Sequence, residues 1–340
     1  MHIERCPGPA KISCLVGHET AIQQFIASHA SGRLHHAWMI TGLRGIGKAS
    51  LAFAFSKYLL RTAPHDGSPF LNWDDKVHRQ IAEESHPGLI HLTPRWDEEK
   101  KRMKSRLSIN EIRKIRTLFD MSSGSNSWRI AIIDSADEMT SNAARALLKI
   151  VEEPPKQSLF FILVHSAGMI IRTFRSRCQI LRLSHLSDEE ILSILNQFKL
   201  EVDEYDLSYC VQLSNGSVSK ALHLLEGNII AEYRIFVKLM EDRAMGSAKE
   251  WLSAISIANN LASRENEGAF QLFIELVSNW LENQVRLQLD GWPLSSSSLA
   301  PIAKVWEKLN ESLTVLDEYN LDRKQIILTL FQRLFALNKI

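Results

Sequence analysis

Residues 42–49 read Gly-Leu-Arg-Gly-Ile-Gly-Lys-Ala. They match the phosphate-loop pattern G-x-x-x-x-G-K-[S/T] at every fixed position except the last, where Ala49 replaces a hydroxyl residue. In such a loop the backbone N–H groups and the lysine hold phosphates, and the final hydroxyl holds magnesium. The stretch therefore predicts a loop that cradles phosphate but is poorly equipped to hydrolyse it. The candidate nucleotide-binding residues are Gly42, Arg44, Gly45, Gly47, Lys48 and Ala49.

The residues around this loop have the order that a phosphate loop requires. Residues 37–40 form a short apolar strand, and residues 48–60 have the composition of a helix with one apolar face. Strand, glycine turn and helix thus appear in the order that a nucleotide-binding loop requires. Ser50 is rotated by about 100° around that helix relative to residue 49, so we expect it to point away from a metal. The alternative is an ordinary glycine-rich turn followed by a surface lysine.

A second motif lies further along the chain, at residues 128–134. The sequence Trp-Arg-Ile-Ala-Ile-Ile-Asp has the pattern of a buried strand that ends in a carboxylate. Asp134 is therefore a candidate for orienting magnesium. The next position usually holds a glutamate in ATPases that activate water, but here it is Ser135. Two missing groups in one reaction predict that hydrolysis has been lost; alternatively, Asp134 only caps the turn after its strand.

Composition limits the remaining possibilities. The 340 residues are 45% hydrophobic and 23% charged, with a net charge of +1, which is typical of globular domains. The N-terminus lacks a secretory pattern and no long apolar run occurs, so we expect a cytoplasmic protein without membrane contact. Four scattered cysteines without a C-x-x-C pair predict no metal site. Residues 100–116 hold eight basic residues and one acidic residue, and we interpret this segment as a solvated surface, with contact to template DNA as the alternative.

Four stretches together resemble a known family. They are GLRGIGK at 42–48, AIIDSADEMT at 131–140, NAARALLKIVEEPP at 142–155 and SRC at 176–178. This combination resembles the AAA+ subunits of bacterial clamp loaders, most closely those of the delta-prime type, and the resemblance covers nearly the whole chain. It implies that Arg177 is an arginine finger, which reaches the ATP of the adjacent subunit. Without the resemblance, Arg177 would be interpreted as an ordinary surface or salt-bridge arginine.

The resemblance also implies three domains. These are an α/β AAA+ domain with a parallel sheet at 1–182, a small helical lid at 183–227 and an all-α collar at 228–340, which joins subunits into a ring. Within the lid, Ser187 and Glu190 have the spacing of a helix capping box. In the collar, apolar residues recur at helical spacing over 326–337, and we expect part of the surface around Trp280, Trp306 and Phe331 to face neighbouring chains.

The implied function is that of a non-hydrolysing stator subunit of the DNA polymerase III clamp loader. Its partners would be the motor subunits and the delta subunit, with the sliding clamp reached indirectly and primed DNA through the complex. The chain would need no cofactor and have no activity alone, although its loop could hold ATP or ADP. Many delta-prime subunits carry a four-cysteine zinc module, but residues 61–95 contain no cysteine, so no zinc is expected. The alternatives are an active AAA+ motor subunit, an AAA+ scaffold of another DNA-processing pathway, and a small-molecule enzyme such as a kinase.

Overall fold

The computed structural model describes most of the chain. The described residues are 7–12, 14–61, 76–94, 96–97, 102–103, 107–120, 128–165, 172–198, 200–226, 229–241, 247–262, 267–289, 299–319 and 322–337. Three predictions of the sequence fall partly outside these ranges. They concern residues 62–75 of the cysteine-free stretch, residues 100–101 and 104–106 of the basic segment, and the domain boundary at residue 227.

Seven strands form two sheets in the described residues. They are β1 (Ala37–Thr41), β2 (Leu89–Leu92), β3 (Trp96–Asp97), β4 (Arg102–Met103), β5 (Arg129–Ile133), β6 (Ser158–Val164) and β7 (Gln179–Arg182). Five of them make a parallel sheet in the order β2-β5-β6-β1-β7, and β3 pairs with β4 in a small antiparallel ribbon. The predicted α/β fold with a parallel sheet is confirmed.

Fourteen α-helices are present in the described ranges. Those around the sheet are α1 (Glu19–Ala30), α2 (Lys48–Leu60), α3 (Lys76–Ala82), α4 (Ile109–Asp120), α5 (Ser141–Glu152) and α6 (Arg172–Arg175). The following helices are α7 (Asp188–Gln197), α8 (Glu204–Ser214), α9 (Val218–Glu226), α10 (Ile229–Glu241), α11 (Ala248–Leu261), α12 (Glu267–Leu289), α13 (Leu299–Tyr319) and α14 (Arg323–Leu337). Among the described residues, none of these helices is both long and apolar enough to cross a membrane.

The sheet is covered on both faces, as its sequence requires. All seven residues of β6 are buried, which is typical of a central parallel strand between two helical layers. Successive residues of β1 alternate between two cores. Trp38 packs in the core that includes Phe25 of α1 and Phe55 of α2, whereas Met39 packs in the core on the opposite face with α4 and α5.

The carboxyl ends of three strands meet where the glycine-rich loop begins. Thr41 at the end of β1 pairs with Val164 of β6 on one side and with Arg182 of β7 on the other. The chain leaves β1 towards β2 on one side of the sheet, and β7 is added on the other side. Ligands of open α/β sheets bind at such a reversal of strand order. The fold therefore places residues 42–48 at the position expected of a binding site.

The chain divides into two compact units. One contains residues 2–201 with 214–220, and the other contains residues 202–213 with 221–340. The capping box at the start of α7 is formed, because Glu190 N donates to Ser187 Oγ and Ser187 N donates to Glu190 Oε2. The three-domain division at 1–182, 183–227 and 228–340 stays a prediction.

The second unit is entirely helical in its described residues, and aromatic side chains fill its core. Phe236 of α10 meets Phe273, Trp280 and Phe331 edge-on, with ring centroids 5.4 to 6.0 Å apart. Phe331 is fully buried, so the expectation that it lies near a surface facing neighbouring chains is wrong for this residue. Its ring is needed to close the core of its own chain. Trp306, by contrast, is exposed.

Candidate functional site

The first residue of the loop is held between two strands. Gly42 N donates to Val164 O at 3.3 Å, and Leu183 N donates to Thr41 O at 2.8 Å. A Cβ atom at residue 42 would lie 2.5 Å from Ile46 Cδ1 and 2.9 Å from Leu183 O. Only glycine fits this space, since the backbone of residue 183 cannot move without disturbing the sheet.

The rest of the loop turns sharply into α2. Gly45 and Gly47 have φ angles of 78° and 100°, in the left-handed region that favours glycine. Ile46 is buried between them, and its carbonyl accepts a hydrogen bond of 2.8 Å from His18 Nε2. Gly47 is the N-cap of α2, so the loop lies at the N-terminus of a 13-residue helix. Such a terminus attracts anions through its free N–H groups and its dipole.

Lys48 is buried and turned back onto the loop. Its side chain is only 4% exposed, and Nζ donates to the carbonyls of Gly42 and Leu43 at 2.8 and 2.5 Å. Burial lowers the pKa of Lys48 to about 8, although the charges of Asp134 and Asp137 act in the opposite direction. The ammonium group therefore still carries its charge at neutral pH.

The two positions that lack catalytic groups lie close to this lysine. Ala49 packs against the core beneath α2 and offers no polar atom. Asp134 follows β5 as predicted, and its Oδ1 accepts a hydrogen bond of 2.8 Å from Ser135 N. Ser135 is buried with φ of 51°, and its Oγ lies 3.2 Å from His165 Nε2. A hydroxyl and an imidazole thus occupy the place where an ATPase would hold its glutamate.

His165, at the end of β6, is neutral at neutral pH. Burial lowers the pKa of this imidazole, and the charge of Lys48 lowers it further. Its backbone N–H donates to Asp137 Oδ2 at 3.2 Å, which fixes the residue in place. Within the described part of the chain, its Nδ1 is buried without a hydrogen-bond partner. The site therefore holds a neutral polar ring beside the buried lysine.

Arg44 points outward from the loop. Its side chain is 77% exposed, and Nη1 lies 3.8 Å from Oε1 of Glu138. Burial raises the pKa of Glu138, while Arg44 lowers it. An ion pair with so exposed an arginine and so long a distance between its charged atoms contributes little to stability. Arg44 is therefore available for a ligand at the mouth of the loop.

Residues 214–220 contact the outer side of the loop. Ser217 Oγ donates to Arg44 O at 2.9 Å, and Ser219 N donates to Gly45 O at 3.2 Å. A Cβ atom at Gly45 would overlap Ser217 Oγ. This segment thus contacts the loop through the loop's carbonyl groups.

Arg177 lies at the opposite end of the parallel strands from the loop. It comes two residues before β7, at the amino ends of the parallel strands, whereas the loop follows their carboxyl ends. Its Nε donates to Glu152 Oε1 at 2.9 Å, and its Nη1 donates to Ser176 Oγ at 3.1 Å. The next residue, Cys178, packs against the core, and burial raises the pKa of its thiol to about 12. The chain therefore presents its loop and Arg177 in different directions.

The structure brings the predicted loop residues and Asp134 together and keeps Arg177 apart from them. Their roles in nucleotide binding and catalysis stay predictions. Sequence reasoning did not find the partners Glu138 and Glu152, although both lie inside the motifs that carry the family resemblance. Their spacing along the chain gives no signal for these ion pairs, because the pairs depend on how separate elements pack.

A family model described as "DNA polymerase III, delta subunit" matches residues 17–187, which is half of the chain. The chain belongs to this family. Its membership confirms the predicted place among the AAA+ subunits of bacterial clamp loaders. The matched region contains the loop, Asp134 and Arg177.

Individual relatives agree with this assignment. The chain is 26% identical over 305 residues to DNA polymerase III subunit gamma of Buchnera aphidicola (subsp. Acyrthosiphon pisum), covering 87% of this chain and 80% of that protein. It is 27% identical over 206 residues to DNA polymerase III subunit delta' of Escherichia coli, covering 61% and 59%. Replication factor C subunit 4 of Saccharomyces cerevisiae is 27% identical over 230 residues, covering 65% and 61%. The chain thus spans less than two thirds of the latter two proteins.

Proposed function

We propose that this family member is the non-hydrolysing, delta-prime-type subunit of a cytoplasmic clamp loader. It presents Arg177 to the ATP of an adjacent motor subunit and helps to load the sliding clamp on primed DNA during replication. Motor subunits and the delta subunit are its direct partners within the DNA polymerase III holoenzyme. The observation that carries the proposal is a complete phosphate-loop backbone that lacks both the hydroxyl of residue 49 and the acid of residue 135.

The chemistry of the loop supports this proposal. Magnesium needs oxygen ligands, and Ala49 offers only a methyl group that packs on the core. Attack by water needs a base or an orienting acid, and Ser135 Oγ instead contacts the neutral His165. The loop can still hold ATP or ADP without metal, through its N–H groups and Lys48. We propose no zinc and no required cofactor.

The environment of Arg177 supports a role towards a neighbouring subunit. A guanidinium stays charged at every physiological pH and can hold two phosphate oxygens at once. The Arg177 side chain is 39% exposed, so it is accessible, while the adjacent Cys178 fixes the backbone to the core. Such a group stabilises the charge that develops on a transferred phosphoryl group.

Two ATPase assays test the proposal. The isolated chain should show no magnesium-dependent ATP turnover above that of its Lys48→Met variant. In the complex reconstituted with motor and delta subunits, Arg177→Ala should slow hydrolysis at the adjoining site by roughly 10³-fold or more. Arg33→Ala removes an exposed arginine elsewhere and should change nothing. Robust turnover by the isolated chain, or a complex indifferent to Arg177→Ala, would refute the assignment.

An active motor subunit is the second candidate. The gamma subunit of Buchnera aphidicola matches 87% of the chain, and both Lys48 and Asp134 are retained. If the chain is a motor, the isolated protein hydrolyses ATP with magnesium, and this turnover is abolished by Lys48→Met but not by Arg177→Ala. The same assay on the isolated chain therefore separates the two candidates.

A further inference from the structure

A groove opens at the carboxyl ends of β1, β6 and β7. Its volume is about 420 Å³, and it lies beside the first residues of the phosphate loop. Its floor is apolar and includes Met39, Ile180 and Leu183. Its polar rim consists of Arg175, Arg182, His165 and His185.

The charge of this groove is uncompensated. None of its described lining residues is acidic, and Arg175 and Arg182 are both exposed. Within the described part of the chain, neither arginine has an ion-pair partner, whereas Arg44 and Arg177 each face a carboxylate. Two exposed guanidinium groups without a described counter-charge give the groove a positive potential that attracts anions. His185 lies beside them, with its ring fixed by a 2.9 Å hydrogen bond from Nδ1 to Asn215 O.

The groove is separate from the cradle of the phosphate loop. Gly42, Leu43 and His165 border both, while Gly45, Gly47 and Lys48 are not among the residues that line the groove. Met39 belongs to the core on the α4 and α5 face of the sheet, and the loop leads into α2 on the other face. A ligand in the groove therefore meets Arg175 and Arg182, which do not belong to the phosphate loop.

We propose that this groove binds a small phosphorylated ring compound of nucleotide size without a metal ion. Its volume lies within the range of small-molecule sites, roughly 300 to 1,000 Å³. The arginines suit phosphate, which they hold through paired N–H donors, and the apolar floor suits a ring. Nucleic acid strands are bound along extended basic tracks, whereas the described lining of this groove contains two arginines. Binding of this compound in the groove does not depend on whether the subunit hydrolyses ATP.

The test measures binding of a fluorescent ADP to the full chain in the presence of EDTA. The groove variant Arg175→Ala with Arg182→Ala should weaken binding by roughly tenfold for each arginine lost. A charge-matched control, Arg33→Ala with Arg145→Ala, removes two exposed arginines elsewhere and should bind like the unaltered chain. All four positions are exposed, and thermal melting verifies that each variant is folded.

A Lys48→Met chain separates the groove from the phosphate loop. Because Lys48→Met weakens binding to the loop, the ADP binding that remains in this variant reports the groove, and it should be lost when the two groove arginines are also replaced. The proposal is overturned if Lys48→Met alone abolishes binding, if the groove variant binds as tightly as the unaltered chain, or if the charge-matched control loses as much affinity. It is also overturned if a short single-stranded DNA, but not ADP, depends on the two groove arginines.

Discussion

Arg177 Nε lies 2.9 Å from Oε1 of Glu152, which is the last residue of α5. Both side chains are 39% exposed, so water screens the pair and its contribution to stability is small. Its geometric effect is larger, because the carboxylate fixes the direction in which the guanidinium extends. Glu152 is therefore a positioning residue for Arg177 within the proposed function.

Glu152→Gln should change the free energy of unfolding by less than about 1 kcal/mol. In the reconstituted complex it should slow ATP hydrolysis at the adjoining site by up to roughly 10²-fold, since a misplaced group loses catalytic effect steeply with distance. Glu153→Gln is the matched control at the next residue. In an Arg177→Ala background Glu152→Gln should have no further effect on hydrolysis, and a further loss there would show that Glu152 does not act through Arg177.

Ala49→Ser should give the phosphate loop a magnesium ligand. We expect the variant to bind ADP at least about tenfold more tightly with magnesium than with EDTA, because the metal links the new hydroxyl to the phosphates. The unaltered chain should bind equally in both conditions. Ser50→Ala should behave like the unaltered chain, since residue 50 is rotated away from the metal position; a magnesium effect that depends on Ser50 would contradict this. Isothermal titration measures all three proteins.

Gly45→Ala should weaken the attachment of residues 214–220 to the loop. The left-handed backbone costs any L-residue about 1 to 2 kcal/mol, and the added Cβ would also overlap Ser217 Oγ. Gly32 supplies the control, since its φ of 68° is similar but nothing lies within 4 Å of an added Cβ. Chemical denaturation should show Gly45→Ala to be less stable than Gly32→Ala by about 1 to 3 kcal/mol. Equal stability of the two variants would exclude the close contact.

Lys57 should make the stability of the chain depend on pH. It is buried, its Nζ donates to Ile12 O at 2.9 Å, and burial lowers its pKa to about 8. Because the unfolded lysine holds its proton up to a higher pH, the unfolded state binds more protons between pH 8 and its unfolded pKa of about 10.4. The contribution of Lys57 to stability therefore rises with pH across that window, by at most about 1.4 kcal/mol per pH unit.

The measurement compares the unaltered chain with Lys57→Met by denaturant unfolding from pH 7 to 10. The stability difference between them should shift in favour of the unaltered chain as the pH rises above 8. Lys304→Met replaces an exposed lysine and should leave the difference constant. A Lys57→Met profile parallel to that of the unaltered chain would show that the ammonium is not desolvated.

The phosphate loop could be predicted because its signal is local. Three glycines, one lysine and the flanking apolar runs all lie within about 25 residues, and together they predict a strand, a turn and a helix. The contacts that define the site are not local. Ser135 meets His165 across 30 positions, and Arg44 meets Ser217 across 173, so these contacts depend on sheet order and on the packing of later segments. The same reason explains Phe331, whose apolar stripe identifies a helix but not which side of that helix is covered.

The two bonds from Lys48 to the carbonyls of Gly42 and Leu43 have a consequence for affinity. A phosphate entering the loop has to displace an internal competitor whose effective concentration is set by the chain itself. The measured affinity is then the difference between two sets of hydrogen bonds rather than the strength of the new set. We therefore predict that any phosphate entering this loop is held weakly and released readily.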